Sequence, residues 1–242
     1  MIYITGDKHG DYRYVLSYCL EFNTSKEDIL IVLGDAGINY FLDEKDYELK
    51  NKLSELPITL FCVHGNHEER PENIDTYKTK IFHNGVAYYE EEYPNIIFAK
   101  DGEIYDFNGL KTLVIGGAYS VDKEYRLKMG YHWYPSEQPS KEIKERVIKT
   151  LSENDNRVNI ILSHTCPYKY IPTETFMYGI DQSKVDKSTE YFLDGIEQNT
   201  EYDTWYCGHY HTDKHIDKIR FMFDDIEKFE KLKEKKLIYH NK

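Results

Sequence analysis

No stretch of the 242-residue sequence approaches the roughly 18 consecutive apolar residues that a membrane-spanning helix requires. The opening Met1-Ile2-Tyr3-Ile4-Thr5 runs straight into a polar motif without a basic leader, so a soluble, cytoplasmic protein is expected. Cysteine is sparse: Cys19, Cys62, Cys166 and Cys207 stand far apart with no Cys-x-x-Cys pair. That spacing excludes a paired-thiol motif and predicts reduced, mostly buried thiols. Positive charge is in deficit, with 31 Lys and Arg against 43 Asp and Glu for a net charge of −12. A surface of that sign repels polyanions, which makes long DNA or RNA an unfavourable partner. Internal repeats, linkers and low-complexity segments are missing too, and residues 1–242 are read as one globular domain.

What is present is a pattern of short apolar runs. Ile2–Thr5, Ile29–Leu33 and Ile58–Val63 are separated by stretches with helical spacing, first Tyr14, Val15, Tyr18, Cys19 and Phe22, then Leu49, Leu53 and Leu56. The alternation predicts strands joined by crossover helices in an α/β sheet. Farther on, Ile96–Ala99, Ile104–Phe107 and Thr112–Ile115 are separated by Asp101-Gly102 and Asn108-Gly109, dipeptides of tight hairpins, and predict an antiparallel meander. Ile143, Val147, Ile148 and Leu151 mark a helix, Val158–Leu162 a buried strand, and Tyr191, Phe192 and Ile196 another helix. Strands follow around Thr204–Cys207 and Ile219–Phe223, and the charged stretch Glu227–Lys236 is expected as a solvated helix. The aperiodic segment Thr165–Asp181 is expected as a long functional loop.

Five motifs sit where the expected strands end: Gly6-Asp7-Lys8-His9-Gly10, Gly34-Asp35, Gly65-Asn66-His67-Glu68, Ser163-His164 and Gly208-His209-Tyr210-His211. Ligands of open α/β sheets bind beyond the C-terminal ends of strands, so these segments can converge in one crevice. The glycines before Asp7, Asp35, Asn66 and His209 allow sharp turns and close approach of the backbone. In an extended strand end, Asp7 with His9 and His209 with His211 would each point the same way. Imidazole, carboxylate and amide oxygen together suit Zn, Fe or Mn, and need no thiolate. Any one of these histidines reads more readily as structural, but five of the ten fall in these motifs.

The ordered set D-x-H, G-D, G-N-H-[DE], a lone H and G-H-x-H resembles the calcineurin-like metallophosphoesterase superfamily, from Asp7 to His211. The resemblance implies an α/β fold of two facing mixed β-sheets flanked by helices, a four-layer α/β/β/α sandwich. It implies two divalent transition-metal ions (Mn, Fe, Zn or Ni), one held by Asp7, His9, Asp35 and His211 and the other by Asp35, Asn66, His164 and His209, with Asp35 bridging. Two cations ~4 Å apart activate a water and clamp a phosphoryl group. By the same likeness His67 lies near the leaving group as general acid, with Glu68 or a backbone carbonyl orienting its ring.

One departure from the family matters. The protein-phosphatase pattern G-D-x-x-D-R-G supplies an Asp to the catalytic His and an Arg to phosphate, but here Asp35 is followed by Ala36, Gly37, Ile38 and Asn39. Asn39 is left as a weaker partner for His67, and Arg70 or Arg126, beside Asn66, as a substrate contact. Gly116-Gly117-Ala118-Tyr119-Ser120 reads first as a tight strand-to-helix turn, and second as a way to deliver Tyr119 or Asp122 to substrate. Aromatic residues such as Tyr168, Tyr170 or Phe176 do not by themselves signal base stacking. The expected activity is hydrolysis of a phosphoester, with monoesters of a small molecule or phosphoprotein favoured over cyclic or dinucleotide diesters. An inactive interaction scaffold and a closed structural metal cage fit less well, since every ligand position and His67 are kept and cysteine is not among them.

Overall fold

In the computed structural model, residues 1–176 and 178–231 are described. The chain begins β1 (Ile2–Thr5), α1 (Arg13–Phe22), β2 (Ile29–Val32), α2 (Glu44–Ser54) and β3 (Thr59–Cys62). These three strands pair in parallel and are buried along their whole lengths, as central strands covered on both faces must be. Then come β4 (Lys78–Phe82), β5 (Gly85–Tyr89), β6 (Ile96–Ala99), β7 (Ile104–Phe107) and β8 (Leu110–Ile115), followed by α3 (Lys123–Met129) and α4 (Lys141–Ser152). The chain continues through β9 (Ile160–Ser163), α5 (Ser188–Asn199), β10 (Thr204–Cys207), β11 (Lys214–Ile216), β12 (Ile219–Phe221) and β13 (Glu227–Lys228). One sheet runs β13-β1-β2-β3-β6-β5-β4 and the other β11-β12-β10-β9-β8-β7.

Three apolar layers hold this stack together. Ile4, Ile31 and Phe61 of the first sheet meet Phe107, Val114 and Leu162 of the second. Val15 and Cys19 of α1 and Leu53 of α2 cover the first sheet's outer face at Leu30, Val32 and Leu60. Ile143, Val147 and Leu151 of α4, with Leu193 and Ile196 of α5, cover the second at Ile161 and Trp205. Each large aliphatic or aromatic side chain buried this way contributes about 1.5–3 kcal/mol. The result is the expected α/β/β/α order of layers, and all four cysteines are buried and free. Among the described residues, no helix is long and apolar enough to cross a membrane.

The structure corrects three expectations. The strands from Ile96 to Ile115 are not one meander: β6 pairs parallel with β3 in the first sheet, whereas β7 and β8 form a hairpin in the second. The chain crosses between sheets at Asp101-Gly102, where the Asp101 carboxylate accepts from the Gly116 N–H at 2.7 Å. A hairpin unforeseen in the sequence, β4 with β5, turns on His83 and Asn84, both with positive φ of 47° and 70°. Finally, the charged stretch opens as β13, antiparallel to β1, and not as a helix; residues 232–236 lie outside the described residues.

Candidate metal centre

Five parallel strands aim their C-terminal ends at one crevice. Asp7 and His9 follow β1, Asp35 follows β2, Asn66 and His67 follow β3, His164 follows β9, and His209 and His211 follow β10. Ligating atoms of Asp7, His9 and His211 lie within 4.8 Å of one another, and so do those of Asp7, Asp35 and His164. Asp35 Oδ2 sits centrally, 3.9 Å from His9 Nε2, 3.8 Å from His67 Nε2 and 3.7 Å from His164 Nε2. The His164 and His209 rings are 5.0 Å apart, centre to centre.

Asp7 and His9 come together for a different reason from the one the sequence suggests, and His209 and His211 do not share a side: His211 lies against His9, and His209 against His164. His9, Asp35, His209 and His211 all have left-handed backbones, with φ of 45°, 46°, 68° and 47°. The chain therefore coils at these three motifs instead of continuing an extended strand, a strained geometry that recurs at functional sites. The neighbouring glycines serve mainly as clearance. A Cβ on Gly65 would lie 2.0 Å from Asp35 Oδ1, and one on Gly208 would lie 2.3 Å from Asp7 Oδ1.

Backbone and side-chain contacts fix the orientation of the donors. The Leu33 carbonyl, only an acceptor, receives His164 Nδ1–H at 2.7 Å, which leaves Nε2 facing the crevice. Asn66 Nδ2 donates to Ser120 Oγ at 2.9 Å, so the amide oxygen turns inward. Backbone N–H groups of His67 and His209 donate to Asp35 Oδ1 at 2.9 Å and Asp7 Oδ1 at 3.0 Å, leaving each Oδ2 for another partner. Asp7 Oδ2 is buried with no hydrogen-bond partner and lies 3.2 Å from His211 Nε2.

Electrostatics keep the carboxylates and His209 in ligand form, whereas the hydrogen bond to Asp7 raises the proton affinity of His211. Burial opposes ionisation of Asp7, but His211 and His164 beside it hold its carboxyl below the usual value. Burial likewise opposes ionisation of Asp35, and His67, His164 and His9 outweigh it. His209, half-buried, is pushed down to about 3 by burial and by His164 beside it, and stays a neutral imidazole. Imidazole nitrogen, carboxylate and amide oxygen without sulfur form the donor set of a borderline transition metal, and Asp7 Oδ2, buried with only the His211 ring 3.2 Å away, is the kind of oxygen such an ion takes.

Around the crevice, a cavity of about 410 Å³ is lined by His67, Tyr119, Asp122, Arg126 and residues of the long loop before α5. Arg126 is held by Asp122, which accepts from its Nε at 2.7 Å, and by the Tyr40 hydroxyl at 3.0 Å from Nη1. Burial lowers the proton affinity of His67; Arg126 lowers it further, and Asp35 and Asp122 raise it.

Other expected partners are engaged elsewhere. Arg70 is buried, its Nη1 2.5 Å from Asp101 Oδ2 and its Nε donating to the Ser136 carbonyl at 2.8 Å. Glu68 Oε1 accepts from the Gly65 N–H at 2.7 Å, and Asn39 Oδ1 from the Tyr77 hydroxyl at 3.1 Å. Both therefore answer structural neighbours and not the His67 ring. Phe176 lines the cavity, whereas Tyr168 stacks on Tyr191 of α5 and Tyr170 joins the apolar cluster under that helix. Sequence reading gave no role to Ser120, although it closes the Gly116–Ser120 segment, and missed the Leu33 carbonyl and Glu190, which belong to no spaced motif.

The sequence profile of the calcineurin-like phosphoesterases matches residues 1–213. No curated protein matches the chain. Among solved structures, TT1561 of Thermus thermophilus is similar in fold, with a TM-score of 0.50 and 15% identity over 92% of this chain and 87% of its own. A protein of unknown function from Aquifex aeolicus, AQ665, matches 68% of this chain and 80% of its own at 17% identity and a TM-score of 0.32.

Proposed function

We propose, from the premise that this chain belongs to the calcineurin-like phosphoesterase family, that it is a metal-dependent phosphomonoesterase with a dinuclear centre. The observation that carries the reading is the convergence of metal-binding atoms from five strand ends on one point. His164 Nε2 lies 2.8 Å from the Asn66 amide oxygen and 3.7 Å from Asp35 Oδ2, and Asp35 Oδ2 lies 3.9 Å from His9 Nε2. Imidazole nitrogens, carboxylate oxygens and an amide oxygen gathered this closely are the donor set a divalent ion takes.

The residues that would hold the two ions are Asp7, His9, Asp35 and His211 for one and Asp35, Asn66, His164 and His209 for the other. When bound, such a pair activates a water at neutral pH and neutralises phosphoryl oxygens. The chain's own groups do the rest. Arg126, already fixed by Asp122 and Tyr40, meets the extra charge of a monoester dianion. His67 faces the cavity beside Asp35 and hands a proton to the departing oxygen. The loop before α5 shelters the leaving group from solvent.

Rates on an alkyl phosphomonoester, an aryl phosphomonoester and an aryl diester, at saturating Mn²⁺, test this reading. His67→Ala should cut kcat/KM on the alkyl ester by about 10²–10⁴-fold, since its leaving oxygen is strongly basic, and largely spare the aryl ester. Asp35→Asn should abolish both together with bound metal. A diester preferred over both monoesters would overturn the monoesterase reading, and equal losses for His67→Ala would leave that ring a positioning role.

A further inference from the structure

The cavity is not lined by the crevice residues alone. The loop before α5 adds Ile171, Phe176, Ile180 and Val185 beside the polar Thr175, Gln182 and Lys187, and Tyr119 and Tyr210 line it too. Glu190, on the first turn of α5 and 4% exposed, is also in the lining. Its Oε1 accepts from the Thr165 hydroxyl at 2.8 Å, and that hydroxyl is 3.3 Å from the Tyr210 hydroxyl. Its Oε2 is buried and has no hydrogen-bond partner. The nearest lysine on its own helix end, Lys187, donates instead to the Gln182 carbonyl at 2.9 Å.

A buried, partnerless carboxylate oxygen costs free energy unless a ligand completes it. What completes it is a donor, because the carboxylate oxygen offers only lone pairs. The cavity's size, about 410 Å³, lies within the range of about 300–1,000 Å³ usual for small-molecule sites and exceeds what a phosphate with a small alcohol fills. Flat aromatic walls favour a flat ring.

We infer that the loop-covered end binds the leaving alcohol of the substrate, that this alcohol is a nucleoside or similar heterocycle, and that Glu190 accepts an N–H of its ring system. This rests on the phosphomonoesterase reading for the chemistry, but the binding it describes can be measured separately. Glu190 is thus a specificity residue, remote from the bond that breaks.

Calorimetric titration of the chelator-treated protein, which does not turn these esters over, with the 5′-monophosphates of adenosine, guanosine, cytidine and uridine, against ribose 5-phosphate, gives the test. The sugar phosphate has the same anion and lacks the ring. At least one nucleotide should bind tighter than ribose 5-phosphate by about tenfold or more, the discrimination a buried hydrogen bond supplies. Glu190→Gln keeps the Thr165 bond through its carbonyl and turns an N–H₂ toward the ligand. That inversion should erase the preference without changing affinity for ribose 5-phosphate. Phe176→Ala should weaken the same preference, which separates ligand contact from any effect of Glu190 on folding. Equal affinity for all five compounds, or a Glu190→Gln variant that loses ribose 5-phosphate and nucleotides alike, would overturn the inference. Release of phosphate from p-nitrophenyl phosphate by the same preparation once Mn²⁺ is restored reports on the hydrolase reading alone, so either idea can fail without the other.

Discussion

Arg70 and Arg126 have the same side chain and opposite surroundings, and a pair of substitutions separates them. The Arg70–Asp101 pair is almost wholly enclosed, at 5% and 2% side-chain exposure. Removing one partner of such a pair leaves a buried charge uncompensated, which costs about 3–5 kcal/mol. Arg70→Ala should therefore lower the urea midpoint sharply while leaving KM of the surviving folded enzyme unchanged. Arg126→Ala should do the reverse, raising KM for a phosphomonoester with little loss of stability. Glu190 offers a second residue-level test through pH. Burial raises its carboxyl above the ordinary 4.5, so the folded state binds this proton more tightly than the unfolded chain. The stability it lends is complete below 4.5 and declines as pH climbs through the folded value. Glu190→Gln cannot ionise, so in chelator-treated protein its Tm should gain on wild type as pH rises from acid to neutral. A constant Tm difference across that range would refute the shift.

At the scale of elements, the sequence disclosed what depends on local pattern and hid what depends on partner choice. The strands β1, β2 and β3 and the helices between them were legible because period and β-branched content coincide there. The residues that meet in the crevice were legible because each motif stands where a strand stops, and order along the chain survives folding. The assignment of β6 and β7 to different sheets was not, since Asp101-Gly102 has the dipeptide of a hairpin while its carboxylate is spent on Gly116 and Arg70 across the fold. Asn84-Gly85 did carry the hairpin signal for β4 and β5, and went unread because Lys78 to Phe82 lacks a continuous apolar face. The way Asp7 joins His9 was hidden as well. Left-handed backbone at a histidine has no composition signature, so the pleat looked sufficient. Ser120 and the Leu33 carbonyl escaped for a related reason: they act on ligands far away in sequence, His164 being 131 residues from Leu33.

On the scale of the whole molecule, the centre draws Asp7, Asp35 and Asn66 from one sheet and His164 and His209 from the other, so bound ions would tie the two sheets together. Ligands of the folded state stabilise it by mass action, by about 2.7 kcal/mol at a hundredfold excess over Kd. Mn²⁺ should thus raise Tm measurably, EDTA should reverse the rise, and Asp35→Asn should show neither response. A Tm indifferent to Mn²⁺ in the wild type would contradict the centre.

The support of this centre extends past the family's span, which ends at residue 213. The Met222 carbonyl presses on Gly6, where an added Cβ would come within 2.0 Å of it. The Phe223 carbonyl accepts from Lys8 Nζ at 2.9 Å, and the Asp225 carbonyl from the Thr5 hydroxyl at 2.8 Å. β13 then closes the flank of β1. A shortened protein cut at residue 213 would keep every ligand and lose the brace behind Asp7. Its first strand would become a bare edge with unpaired backbone groups, open to a neighbouring copy. The boundary of the family likeness is therefore the wrong place to trim this chain: what lies beyond it separates a working crevice from a sticky strand.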